Sequence, residues 1–268
     1  MERLVADFER KHVESKIEGW RHMLSIQPDE PTAHAGLGTI DQAEGRHEAA
    51  IEHFEAALAG RPDYVLARYN LAVSLQALGR REEARRELAE VARLDPTHAG
   101  AHNNLGILAA EAGRIDEALG HFEAAVAADP AHAEAHNNLG NASRQTGDLG
   151  AAARHLERAL ELVPGYAAAR LNLALVAWTR ATSPNAAVRD GEEAIRVAGA
   201  ALAGAPTDPR LLDVMAAAYA EAGRFEEAVA TETRAIRAAR AAGARPADLM
   251  AFETRLRLYG RREPYRSR

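Results

Sequence analysis

Proline stands at positions 28, 62, 96, 130 and 164, five times at a spacing of 34 residues, and each closes a stretch with the apolar periodicity of a helix. A unit of this length cannot bury its apolar face alone, so it must stack on the next copy of itself. Such a chain grows by adding repeats along one direction. Its 268 residues therefore form one repeat array, with a long open face in place of a single closed core.

The register follows from counting the third residue after each proline as position 1. Repeats then begin at Pro31, Val65, Ala99, Ala133 and Ala167, with a sixth at Pro209. Position 7 is Leu37, Leu71, Leu105, Leu139, Leu173 and Met215, and position 8 is Gly38, Ala72, Gly106, Gly140, Ala174 and Ala216, small enough for two helices to touch. Position 15 is Gly45, Gly79, Gly113, Gly147 and Gly223, where the chain must leave the first helix through a left-handed turn. Position 20 is alanine in all six repeats, from Ala50 to Ala228. Position 24 carries Phe54, Leu88, Phe122, Leu156, Ala198 and Glu232, the knobs of the second helix; Glu232 is expected to be partly exposed or beside Arg255 or Arg257.

These coincident positions resemble the tetratricopeptide repeat family, whose 34-residue pattern of Leu, Gly, Tyr, Ala, Phe and Pro they follow in order. The resemblance implies an all-α fold: a right-handed α-solenoid of about six helix-turn-helix repeats over 31–240, with a lone N-terminal helix in 1–30 and a C-terminal capping helix over 246–260. Two departures stand out. Position 4, aromatic in the family, is His34, Arg68, His102, His136, Arg170 and Leu212, and the position 11 tyrosine survives as Tyr219, so lighter packing is expected.

Trp20, Met23 and Pro28 fall on positions 24, 27 and 32 of a repeat whose first half is missing, so the first segment reads as a second helix, serving either as a cap or as the continuation of a longer chain. Eight extra residues enter the fifth repeat around 179–193. There Ser183-Pro184 predicts a helix start, and the insertion is expected to lengthen the loop and the second helix. Leu249, Phe252, Leu256 and Tyr259 share one face of the last helix, and the basic tail 261–268 is expected to be disordered. The closing block and the insertion resemble the ends of bacterial tetratricopeptide chains joined to membrane-bound or glycosyltransferase modules.

A net charge of −6 argues against a nucleic-acid partner, which draws on clustered Lys and Arg. The chain has no cysteine, hence no disulfide, thiolate metal site or thiol nucleophile. No apolar run approaches the ~20 residues of a membrane span, and Met1 to Lys11 is too charged for a signal peptide. A cytoplasmic location is expected, with the periplasm as the alternative for a chain with an upstream leader or anchor. His98 with His102 and His132 with His136 stand four apart, a spacing that can serve a metal, but the repeat itself generates it. No phosphate loop or nucleophile elbow is present, so no enzyme activity, cofactor or metal is expected.

Position 6 carries the candidate site. It reads Asn70, Asn104, Asn138 and Asn172 in four successive repeats and points away from the partner helix, toward the groove. A carboxamide offers one acceptor and two donors, which match the backbone of an extended peptide whatever its sequence. The row is similar to the asparagine ladder of protein O-linked N-acetylglucosamine transferases, which implies that these four residues clamp a ligand backbone. Neighbouring groove positions 5, 9, 12 and 13 add Tyr69, Asn103, Asn137, Asn141, Arg144, Gln145, Leu171 and Trp178. The carboxylate-clamp subfamily needs several cations there, and among these Arg144 alone qualifies. The expected function is a non-catalytic scaffold holding an extended segment of a partner protein. The alternatives are a recruiting module of a larger enzyme or membrane complex, such as a glycosyltransferase, and a self-associating scaffold.

Overall fold

The computed structural model describes the backbone of residues 2–267 and the side chains of 14–267 apart from 248. Among the described residues every regular element is a helix. The chain divides into two compact units at 129/130. The first holds α1 (Glu2–Ile26), α2 (Pro31–Ala43), α3 (His47–Gly60), α4 (Val65–Ala77), α5 (Arg81–Leu94), α6 (Ala99–Glu111) and α7 (Ile115–Ala128). The second holds α8 (Ala133–Thr146), α9 (Leu149–Leu162), α10 (Ala167–Thr182), α11 (Gly191–Ala203), α12 (Pro209–Glu221), α13 (Phe225–Ala241) and α14 (Pro246–Gly260). The fold is an all-α solenoid. Each first helix packs on its own second helix, and each second helix within a unit packs on the next first helix. In the second unit α8, α10, α12 and α14 also touch in sequence, forming a layer of first helices.

Four of the repeats turn at the same place for the same reason. Gly79 adopts φ +73°, its N–H reaching Gln76 C=O at 2.9 Å and the Arg80 N–H reaching Leu75 C=O at 2.9 Å. This paired bonding satisfies the last carbonyls of α4 and needs a left-handed residue, where glycine has no Cβ to strain. Gly45, Gly113 and Gly223 repeat the geometry. The following arginine stands at the N-cap of the second helix and pairs with a glutamate three residues on, as in Arg80–Glu83, Arg114–Glu117 and Arg224–Glu227.

The two helices of a repeat close on the small residues. A Cβ at Gly106 would lie 2.5 Å from the Phe122 ring, and one at Gly140 would lie 2.6 Å from Leu156. All six position 20 alanines are 0% exposed. Gly106 and Gly140 leave no room for a Cβ, and the position 20 methyls are fully enclosed.

Position 4 is polar in the first five repeats because it latches the loop between repeats. His34 Nε2 lies 2.9 Å from Pro28 C=O, Arg68 Nη2 2.6 Å from Pro62 C=O, His102 Nε2 3.1 Å from Pro96 C=O, His136 Nε2 3.2 Å from Pro130 C=O and Arg170 Nη2 2.8 Å from Pro164 C=O. The same side chain reaches position 23 of its own second helix. His34 and His136 meet His53 and His155 with Nδ1···Nδ1 of 3.1 Å, His102 stacks near His121 at 5.8 Å, and Arg68 pairs with Glu87. A carbonyl can only accept, so His34 and His136 carry Nε2–H and receive the Nδ1–H of their partners. Burial, and then the facing histidine, lowers the pKa of His53, His121 and His155. In place of an aromatic ring, this position thus carries a hydrogen-bonded link.

The insertion behaves differently from its local reading. Ser183 ends α10, which is lengthened to 16 residues against 13 for α4 and α6, and Asn185 caps a short 3-10 turn at Ala186–Val188. The second helix α11 begins later, at Asp190, whose carboxylate accepts the Glu193 N–H at 3.0 Å, and has 13 residues. The extra residues therefore extend the first helix and the loop, not the second helix. At the start of the array Trp20 lies over Gly36, where a Cβ would be 2.5 Å from the indole, so position 6 of the first repeat has no room for asparagine. Leu4 and Phe8, which share the helical apolar spacing of Ile17, Trp20 and Leu24 in the sequence, lie outside the described side chains.

Glu232 is 0% exposed, and its carboxylate has no hydrogen-bond donor among the described residues. Asp213 bonds Arg255 Nε at 2.5 Å, with Arg255 3.8 Å from Glu232. Desolvation, and then the Asp213 charge, pushes the Glu232 pKa up to about 9. With its pKa raised above neutrality, Glu232 is a protonated acid at pH 7, beside Arg255 but not exposed. The tail is also ordered: residues 261–267 leave α14 and return against α10 and α12.

Candidate functional site

In the first unit, α4 and α6 bring Tyr69 and Asn104 together, Asn104 Nδ2 lying 3.4 Å from the Tyr69 hydroxyl. Tyr69 is tucked against the start of α6. Its ring lies 4.7 Å from His98, and its hydroxyl would be 2.9 Å from a Cβ at Gly100. Asn70 is half-buried, and its backbone C=O accepts from Gln42 Nε2 at 2.8 Å, which also reaches Ser74 Oγ at 2.9 Å. Asn103 is 2% exposed and belongs to the packing of α6.

In the second unit the same relation recurs. Asn172 Nδ2 on α10 donates to Asn137 Oδ1 on α8 at 2.9 Å, and Asn137 Nδ2 donates to Asn138 Oδ1 at 3.2 Å. Arg144 Nη2 donates to Asn141 Oδ1 at 3.0 Å. Position 6 of one repeat thus bonds position 5 of the repeat before it, 35 residues away, for both Asn104 and Asn172. These two amides tie neighbouring first helices together. Beyond this bond the Asn172 side chain has one further N–H and its carbonyl oxygen, enough for a ligand backbone to use.

Around Asn172, α10 presents Leu171, Leu175, Trp178 and Thr182 at intervals of four, three and four, a single helical stripe. Leu171 and Leu175 are 41% and 46% exposed. Trp178 and Thr182 are covered by the segment after α14: the Tyr265 ring lies 5.7 Å from the indole, and the Ser267 N–H and Oγ–H donate to Thr182 C=O at 2.9 and 3.1 Å. Arg266 pairs with Glu221 at 2.6 Å. Glu221 is held from its other oxygen by Arg189 of the inserted segment, at 2.9 Å. Sequence reasoning misses Gln42, Ser74, Thr182, Glu221, Tyr265 and Arg266. Glu221 occupies groove position 13 of the sixth repeat, and that was the available signal.

The histidines four apart do not converge. His98 and His132 each accept the N–H three residues on, of Ala101 and Ala135, at 3.1 and 3.2 Å, while His102 and His136 turn toward their own second helices. Among the described residues no group of three His, Cys, Asp or Glu side chains is placed to hold a metal.

Three tetratricopeptide-repeat family profiles match the chain, over 41–107, over 103–167 and 137–209, and over 209–231. The chain belongs to the tetratricopeptide repeat family. No curated protein sequence matches it. Among solved structures it is similar to YrrB, described as a tetratricopeptide-repeat protein with an unusual peptide-binding site, at a TM-score of 0.59 and 17% identity over 73% of this chain and 97% of that one. A tetratricopeptide repeat protein from Parabacteroides merdae gives 0.56 and 19% identity over 87% of each chain. MamA from residue 41, from Desulfovibrio magneticus, gives 0.52 and 21% identity over 62% of this chain and 94% of that one. These likenesses establish the fold. As a tetratricopeptide protein the chain is a protein-interaction scaffold, and among its described residues no helix is long and apolar enough to cross a membrane.

Proposed function

We propose that the chain is a non-catalytic scaffold that binds an extended peptide segment of a partner protein on the face of its first helices. Within each unit a pair of these amides holds the ligand backbone, Asn70 and Asn104 in the first and Asn138 and Asn172 in the second, and in the second unit the α10 stripe holds the ligand's side chains. The observation that carries this reading is the stripe itself. Leu171 and Leu175 are exposed beside Asn172, on the same face where Thr182 already takes a backbone N–H from a non-helical stretch of chain. Apolar side chains flanking a row of amides suit a ligand whose backbone is bonded without regard to sequence and whose side chains add selectivity. The peptide-binding site described for YrrB supports the same reading by analogy.

Each backbone hydrogen bond adds about 0.5–1.5 kcal/mol net. Two rungs within a unit therefore give modest affinity, and in the second unit the leucines supply the rest. The test is selection of peptides from a random display library on the full chain, followed by binding to the Leu175→Glu and Asn172→Ala chains. The selected peptides should lose at least about tenfold in affinity, about 1.4 kcal/mol, with Leu175→Glu, while the thermal melt stays within a few degrees of wild type. Peptides that ignore both substitutions but are lost when Arg158 and Glu161 on α9 are replaced by alanine would move the binding surface to the second helices.

A further inference from the structure

Residues 261–267 are built to return. Glu263 N–H reaches Leu258 C=O at 3.0 Å, Arg262 N–H reaches Tyr259 C=O at 2.9 Å, and Arg262 holds φ +61°. This is the bonding that glycine provides elsewhere in the array, set here on a residue whose Cβ disfavours it. The reversal brings Pro264–Ser267, non-helical and half-buried, against α10 and α12.

Each contact of the segment is of a kind another peptide can supply. Tyr265 lies against Trp178 and 5.5 Å from the Arg255 guanidinium, which itself stands 5.4 Å from the indole. The aromatic side chain, the indole and the cation thus stand at nearly equal distances from one another, each beside the other two. Arg266 meets Glu221. Ser267 uses the C=O of Thr182, a terminal α10 carbonyl left without an intrahelical partner. Glu221 is fixed independently of the segment by Arg189, and Arg255 by Asp213, so the cleft keeps its acid and its cation when the segment leaves. The Leu171–Leu175 half of the stripe lies open beside it.

We propose that Trp178, Thr182 and Glu221 form a recognition subsite for a peptide carrying an aromatic residue followed by arginine, with Pro264–Ser267 as its intramolecular competitor. The proposal rests on the peptide-binding reading of the first-helix face and adds to it the chemistry of the ligand and a built-in gate. A tethered occupant lowers the apparent affinity of any outside ligand by the fraction of time the cleft is filled.

The probe is a fluorescein-labelled peptide, Glu-Pro-Tyr-Arg-Ser-Arg, titrated by anisotropy into three full-length chains: wild type, Tyr265→Ala with Arg266→Ala, and that double variant with Glu221→Gln added. The peptide should bind the double variant at least about tenfold more tightly than wild type, and the added Glu221→Gln should remove the gain. Amide exchange of 265–267 in the wild type should be faster than that of α10 and α12. Equal binding to wild type and double variant overturns the proposal. So does exchange of 265–267 only at the rate of global unfolding, which would make the segment a fixed strut. A mass that rises with concentration and falls on the double substitution overturns it in favour of a second copy of the chain. Selected peptides that respond to Leu175→Glu but bind wild type and double variant alike remove the gate and leave the broader reading standing. If neither those peptides nor the hexapeptide responds to any of these substitutions, both fail.

Discussion

At the scale of single residues, the array replaces an aromatic by a latch and a knob by a buried acid. Glu232 occupies a position filled by Phe54 or Leu156 in other repeats and is enclosed as completely as they are. Its pKa stands at about 9 and near 4.3 when unfolded. The folded form therefore binds the extra proton between those values, and the contribution of this group to stability is full below pH 4.3 and lost as pH rises through 9. Glu232→Gln keeps a neutral side chain of the same shape at every pH. It is expected to raise the melting temperature at pH 8.5 and change it little at pH 5; melts at the two pH values that shift equally would mean that Glu232 is ionised in the fold. The apolar positions around it are legible from spacing alone, because a 34-residue period repeats the same burial. The acid's partners are not legible: Asp213 lies 19 residues before it and Arg255 lies 23 after, and their meeting is set by how α12, α13 and α14 pack.

At the scale of elements, the helix boundaries follow from glycine and proline, and the register predicts which helices touch. Gly106→Leu would place a branched side chain where even a Cβ lies 2.5 Å from Phe122. It should cost about 1–3 kcal/mol or more, read as a lower melt of the first unit, whereas an unchanged melt would mean that α6 and α7 do not close on that position. The insertion shows where local signals mislead. Ser183-Pro184 has the composition of a helix start, yet Asp190 followed by Glu193 is the stronger one, a side-chain acceptor placed for the N–H three residues on. The position 6 asparagines are legible as a row on one face. That they bond to position 5 of the neighbouring repeat is a tertiary fact, since the amides choose partners only once two first helices lie side by side.

At the scale of the whole molecule, each repeat leaves its first helix with one face unused by the second, and function follows from what covers that face. In the second unit part of it is covered by the chain's own segment at 264–267 and part is open. A segment of that length has no periodicity to reveal it, and its docking depends on Trp178 and Glu221, contributed by helices more than forty residues earlier. The most direct measurement is photo-crosslinking of a display-selected peptide carrying a benzophenone side chain, with the attachment sites located by mass spectrometry. The peptide-binding account predicts crosslinks on Leu171, Leu175 and neighbouring residues of α8 and α10. Crosslinks confined to the exposed faces of α9, α11 and α13 would contradict it.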